Sequence, residues 1–144
     1  MIYLTRNEME QTSVLYTLQL PSKPESLTLV ENLVEEIADK FKLSEDTFAN
    51  MMTCLSEAVT NAIIHGNLLD PEKKVFINAD VEGKRIVWTI ADEGKGFDYN
   101  SLDDPTASEN LEKLTGRGVF ILKHLADQCI FNSRGNEVEL HFKI

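Results

Sequence analysis

Glu57 and Asn61 stand four residues apart in the run Leu55-Ser56-Glu57-Ala58-Val59-Thr60-Asn61-Ala62-Ile63-Ile64-His65-Gly66-Asn67. In a helix, at ~100° per residue, they stack one above the other, and His65 continues the row one turn later. A carboxylate, a carboxamide and an imidazole aligned in this way can meet a hydrated metal and a reacting water or hydroxyl. Phe48, Met51, Met52, Leu55, Ala58, Val59, Ala62 and Ile63 fall on one broad apolar arc of the same helix. Gly66 suits the residue just past its end. Taken alone, Glu57 and Asn61 fit a solvated surface equally well.

Two glycine-rich stretches follow. Asp92-Glu93-Gly94-Lys95-Gly96 comes at the end of an alternating apolar segment, with Asp92 in phase with Ile86, Trp88 and Ile90. Glycines there let the backbone approach a ligand closely. Gly116-Arg117-Gly118 opens an apolar-periodic stretch, where free amides at a helix start can receive phosphate and Arg117 can add a cation. Each motif alone is matched by many ordinary turns. No Gly-x-x-x-x-Gly-Lys-Ser/Thr occurs, so a P-loop is excluded, and the Rossmann fingerprint is absent.

The elements that must position these groups read as follows. Thr12 to Leu20 alternates as a half-buried strand. Ser22 is a candidate cap for a helix from about Glu25 to Lys40, with Leu27, Val30, Leu33, Val34, Ile37 and Phe41 at helical spacing. Ser44 and Thr47 open the central helix, which reaches about Gly66. Val75 to Val81 and Ile86 to Ile90 form strands joined by a tight turn at Glu82-Gly83-Lys84. Tyr99 to Leu114 is polar and aperiodic, the pattern of a functional loop. A helix from Thr115 to about Asp127 follows, then a strand from Cys129 to Arg134, a Gly135-Asn136 turn and a last strand from Val138 to Ile144. Hairpin-joined strands with one apolar face each imply an α/β (α+β) two-layer sandwich. It is a mixed, mostly antiparallel sheet with three helices on one face.

Length and composition set bounds. At 144 residues, with 42% hydrophobic and 26% charged residues, the chain is expected to be one domain, 1–144. No apolar run approaches the ~20 residues of a membrane span, and no secretory signal is visible, so a cytoplasmic location is expected. Cys54 and Cys129 match no metal spacing and are expected to be free thiols. A formal net charge of −10 argues against general nucleic-acid binding.

The three motifs in this order resemble the Bergerat, or GHKL, ATP-binding fold of gyrase, MutL and histidine kinases. Ser56-Glu57-Ala58-Val59-Thr60-Asn61-Ala62-Ile63-Ile64-His65-Gly66 resembles the N box of the anti-sigma factor serine kinases, the RsbW and SpoIIAB group. Asp92-Glu93-Gly94-Lys95-Gly96-Phe97-Asp98 resembles their G1 box, and Gly116-Arg117-Gly118-Val119-Phe120-Ile121-Leu122 their G2 box. The resemblance covers nearly the whole chain. It implies ATP and Mg²⁺ as cofactors. Asn61 would ligate Mg²⁺ through its amide oxygen, and Glu57 would be the catalytic base. Asp92 would accept a hydrogen bond from the adenine amino group. Gly94, Gly96, Gly116 and Gly118 would shape the nucleotide site, with Arg117 at a phosphate and His65 ordering the site. Residues 99–115 would form a lid.

The implied function is a protein-serine kinase that is also an anti-sigma factor. Its partners would be a STAS-domain antagonist, phosphorylated on serine, and a sigma factor, and a homodimer would be expected. Nucleic acid and membrane would not be direct partners. Two alternatives stay open. One is an ATP-gated binding module for a non-sigma partner. The other is a stand-alone histidine kinase-type catalytic domain, disfavoured because no phosphorylatable helical hairpin is seen before the domain and because histidine kinases commonly carry a non-basic residue where Glu57 stands.

Overall fold

The computed structural model describes residues 2–6, 13–96 and 114–144 of the chain. Six strands form one sheet in the order β1-β2-β3-β4-β6-β5. They are β1 (Ile2–Arg6), β2 (Ser13–Pro21), β3 (Lys74–Glu82), β4 (Arg85–Ala91), β5 (Gln128–Phe131) and β6 (Glu137–Lys143). Every pairing is antiparallel. The helices are α1 (Leu27–Lys40), α2 (Glu45–Asn61) and α3 (Leu114–Leu125). The two-layer architecture read from the sequence is therefore the observed one.

The apolar periodicities explain the layering. Val75, Ile77, Ala79 and Val81 of β3 and Ile86, Trp88 and Ile90 of β4 are buried, while their neighbours along each strand are not. Val30, Leu33, Val34 and Ile37 of α1, with Met51, Cys54, Leu55, Ala58 and Val59 of α2, close over that surface. At ~1.5–3 kcal/mol per fully buried large apolar side chain, this core is the main stabilising term. Ser44 caps α2 as expected, its Oγ accepting the Thr47 N–H at 3.1 Å. Both cysteines are free. Burial pushes the Cys54 thiol up to about 12 and the Cys129 thiol up to about 11, so both stay protonated at neutral pH.

Three local expectations are corrected, and a fourth falls largely outside the described residues. Strand β1 pairs with β2 from Ile2↔Thr17 to Arg6↔Ser13, and no strand was expected there. Ser22 caps nothing. It is buried, donates to the Lys73 carbonyl at 2.7 Å, and precedes a 3₁₀ turn (Pro24–Ser26) whose cap position is Lys23. Strand β5 ends at Phe131 rather than Arg134, because the Asn132 carboxamide draws the next residues into a turn. The lid proposed for 99–115 lies outside the described residues through 113, and its last two positions already belong to α3.

The end of α2 differs from a regular helix. Residues Ala62–Gly66 form a widened π turn, with the Asn67 N–H on the Ala62 carbonyl five residues back at 2.8 Å. Such turns re-aim side chains and recur at functional sites. The turn carries Asn67 into the interior, where it is fully buried. Its Nδ2 donates to Ser22 Oγ at 2.8 Å and to the Lys74 carbonyl at 2.9 Å, and its Oδ1 accepts the Glu93 N–H at 2.8 Å. One side chain thus ties the exit of β2, the start of β3 and the turn after β4 to the end of α2. Removing it in Asn67→Ala leaves three groups without their partner, and unsatisfied buried groups cost ~1–3 kcal/mol each. The variant is expected to lose about 3 kcal/mol or more, read as a fall in the urea midpoint with little change in slope.

Candidate functional site

A cavity opens between the helix layer and the sheet. Asn61, His65 and Gly66 line it from α2 and its widened turn, and Val119 and Leu122 from α3. Ile90, Asp92 and Gly96 line it from β4 and the turn that follows, and Phe131, Asn136 and Val138 from the β5–β6 hairpin. Its middle is apolar and its polar groups are few, the composition of a small-molecule site.

At one end the Asp92 carboxylate packs against Gly66. A Cβ at Gly66 would overlap that carboxylate, so Gly66 is fixed by contact and not by the left-handed C′ conformation that its place in the sequence suggested. Gly94 has the same kind of reason: a Cβ there would overlap the Gly66 carbonyl. Its N–H donates to Asp92 Oδ1 at 2.8 Å. Gly96 needs its glycine for backbone reasons as well, with φ +82° against the Arg134 carbonyl.

The main chain of Asp92 is clamped from the hairpin. Its N–H donates to the Asn136 carbonyl at 2.9 Å, and Asn136 Nδ2 donates to its carbonyl at 3.0 Å. Asn132 holds that hairpin in shape. Its Oδ1 accepts from Gly135 and Asn136 N–H at 2.8 and 3.1 Å, and its Nδ2 donates to Asn136 Oδ1 at 2.8 Å. Burial holds the Asp92 carboxyl above the ordinary carboxylate range, opposed by the Gly94 N–H and by the charges of Arg134 and Lys73. A half-buried anion with one donor among the described residues favours a ligand that brings an N–H to it.

The other group of residues lies further back along α2. A Cβ at Gly118 would sit 2.8 Å from Asn61 Nδ2 and 3.0 Å from Glu57 Oε2, so the missing side chain of α3 leaves these two groups open. From Glu57 to Gly66 the helix rises roughly 13 Å, so the carboxylate of Glu57 and that of Asp92 stand well apart. A carboxamide and a carboxylate meet here, and the oxygens of these two groups are of the hard kind that Mg²⁺ takes alongside water and phosphate.

The sequence-derived residues thus fall into two places. Asn61, His65, Asp92 and Gly96 line the cavity, and Gly94 supports Asp92 from behind. Glu57 and Gly118 meet beside Asn61. Arg117 is exposed and is not among the described residues that line the cavity. Helix α3 begins at Leu114, so Gly116 and Arg117 fall among its first four amides and Gly118 lies beyond them. Gly118 therefore contributes space, not a free amide. Asn67, Asn132 and Asn136 were missed. The only signal for them was asparagine at turns, which does not distinguish a solvated loop from a buried clamp.

Residues 20–142 match the family model of the histidine kinase-like ATPase domain, and the chain belongs to that family. It is 31% identical over 135 residues to the anti-sigma F factor of Geobacillus thermodenitrificans, covering 92% of this chain and 87% of the relative. It is 26% identical over 117 residues to the serine-protein kinase RsbW of Bacillus subtilis, covering 77% and 73% respectively. In fold it is similar to a crystal structure of the RsbU and RsbW domains of Rv1364c from Mycobacterium tuberculosis. That match has a TM-score of 0.63 at 15% identity and covers 90% of this chain and 32% of the other.

The raised Asp92 carboxyl has a thermodynamic consequence. The folded chain keeps that proton to higher pH than the unfolded chain, so the unfolded state is favoured as pH rises through the window above the ordinary value of 3.8. Below that value the effect vanishes. Asp92→Asn keeps an oxygen for the Gly94 N–H and removes the charge. It is expected to raise the stability of the nucleotide-free chain at neutral pH, with a gain that shrinks on acidification. Urea denaturation of both proteins across this range measures it, and a pH-independent difference would contradict the assignment.

Proposed function

We propose that the chain is a cytoplasmic, Mg-ATP-dependent protein-serine kinase and anti-sigma factor. In this reading it works in a partner switch, holding or releasing a sigma factor and phosphorylating a STAS-domain antagonist on serine. The observation that carries this reading is Asn61, which lines the apolar cavity together with Asp92 and also stands with Glu57 against Gly118. Asp92 waits beside an apolar slot at one level, and Glu57 stands against Gly118 beside Asn61 at another. The names of the anti-sigma F factor and RsbW relatives support the same reading.

In this account the adenine ring enters the apolar slot and its amino group donates to Asp92. Asn61 holds Mg²⁺ through its amide oxygen, and the ion neutralises phosphate charge when bound. Glu57 takes the proton of the attacking serine hydroxyl. His65 and Gly96 border the nucleotide, Gly94 steadies Asp92, and Gly116, Arg117 and Gly118 face the phosphates. The whole chain, 1–144, acts as one domain. Homodimerisation belongs to the proposal on the strength of the resemblance alone.

The test turns on Glu57. A base acts in the transition state and hardly in ground-state binding. Glu57→Gln keeps size and removes the basic oxygen, so serine phosphorylation of the STAS partner should fall ~10²–10⁴-fold, while ATP affinity stays nearly unchanged. Transfer of label from γ-labelled ATP, with a parallel binding titration, measures both. Transfer at the parental rate would place the base elsewhere. Nucleotide-dependent retention of a partner without any transfer by the parent chain would favour the ATP-gated binding module.

A further inference from the structure

The three helices of the layer differ sharply in charge. Helix α1 carries Glu31, Glu35, Glu36 and Asp39 against Lys40, and α2 carries Glu45, Asp46 and Glu57 with no lysine or arginine. Helix α3 carries no acid, and its charged side chains are Arg117 and Lys123, with His124 beside them. In a chain of net charge −10 this is an exception.

The basic residues share one face. Gly118, Val119 and Leu122 of α3 turn inward and are buried, whereas Arg117, Lys123 and His124 are exposed, with Phe120 and Ile121 half-buried among them. Two of these side chains are held in place. The Phe120 and His124 rings stack with centroids 3.9 Å apart and planes 29° apart. His124 Nδ1 lies 2.9 Å from the Phe120 carbonyl, which can only accept, so Nδ1 carries the proton and Nε2 faces outward. An aromatic plate between an arginine and a lysine, ordered before any partner arrives, is the composition of an interface centre. The face begins next to the reacting groups, because Arg117 precedes the glycine that packs on Glu57 and Asn61.

From this we infer that the exposed face of α3 (Arg117, Phe120, Ile121, Lys123 and His124) is the docking surface for the phosphate-accepting protein. That protein meets it with an acidic segment beside its acceptor hydroxyl. The inference rests on the kinase reading above and names where the acceptor is gripped. Charge supports the occupant: an acidic segment is attracted here and repelled by the acidic faces of α1 and α2, so the same field that steers it also rejects wrong orientations.

The experiment uses the full chain, ¹⁵N-labelled and loaded with Mg-ADP, titrated with a synthetic peptide whose central serine is flanked by aspartates. Saturable amide shifts confined to 117–124 and reversed by salt are expected. Lys123→Glu/His124→Glu should weaken the peptide about tenfold with ADP affinity unchanged, which also shows that the variant is folded. Shifts centred elsewhere, affinity untouched by the charge reversal, a response to a single-stranded oligonucleotide instead of the peptide, or self-association through this face would each overturn the inference. A second arm separates it from the kinase reading. Transfer to the STAS partner with KM unaltered by Lys123→Glu/His124→Glu removes the docking surface and leaves the kinase. Peptide binding on α3 with no transfer to any acceptor removes the kinase and leaves the surface.

Discussion

The site depends on a single buried carboxamide. Asn67 is fully buried, and its side-chain bonds reach Ser22, Lys74 and Glu93, three segments remote from one another in the chain. Its position follows from the widened turn at Ala62–Gly66, which adds one residue to the last helical loop and swings the chain under the sheet. The glycine that meets Asp92 is the residue just before it. The floor of the cavity and the anchoring of the β4 exit are therefore one structural event.

A cost comes with that arrangement. The β5–β6 hairpin and the Gly66 contact force a carboxylate into a half-buried place where, among the described residues, the Gly94 amide is its hydrogen-bond donor. Burial disfavours its charge. Such a group destabilises the empty fold and is offset only when a donor arrives, a common trade between stability and function. Gly118 makes the matching contribution at the other level, leaving Glu57 and Asn61 uncovered where any side chain would have filled the space.

Much of this was legible in the sequence. The apolar arc of α2, the strict alternation of β3 and β4 and the Ser44 cap are local patterns with one physical solution each, and they fixed the layers. Asp92 was legible because its phase with Ile86, Trp88 and Ile90 turns it inward. Strand β1 was not, since five residues offer too little alternation and its partner is chosen by the sheet. Gly66 and Gly118 drew notice for backbone freedom and amide exposure, yet both are required by contacts with side chains far away in sequence. Asn67 and Asn136 were read as loop and turn residues because their partners, up to 45 positions away, exist only after folding, and Asn132 was read as part of a strand although its carboxamide makes the turn. The same holds for the basic face of α3, whose meaning comes from comparison with its neighbours.

The central proposal is that Asp92 would make this cavity select adenine over guanine. Guanine offers a carbonyl where adenine offers an amino group, and a carbonyl facing a buried carboxylate finds two acceptors and no donor. A hydrogen bond to a charged group is worth ~1.5–3 kcal/mol, about tenfold or more in affinity. Calorimetric titration of the chain with Mg-ATP and with Mg-GTP measures this directly. The account predicts that ATP binds at least about tenfold tighter than GTP; equal affinity for the two nucleotides would contradict it.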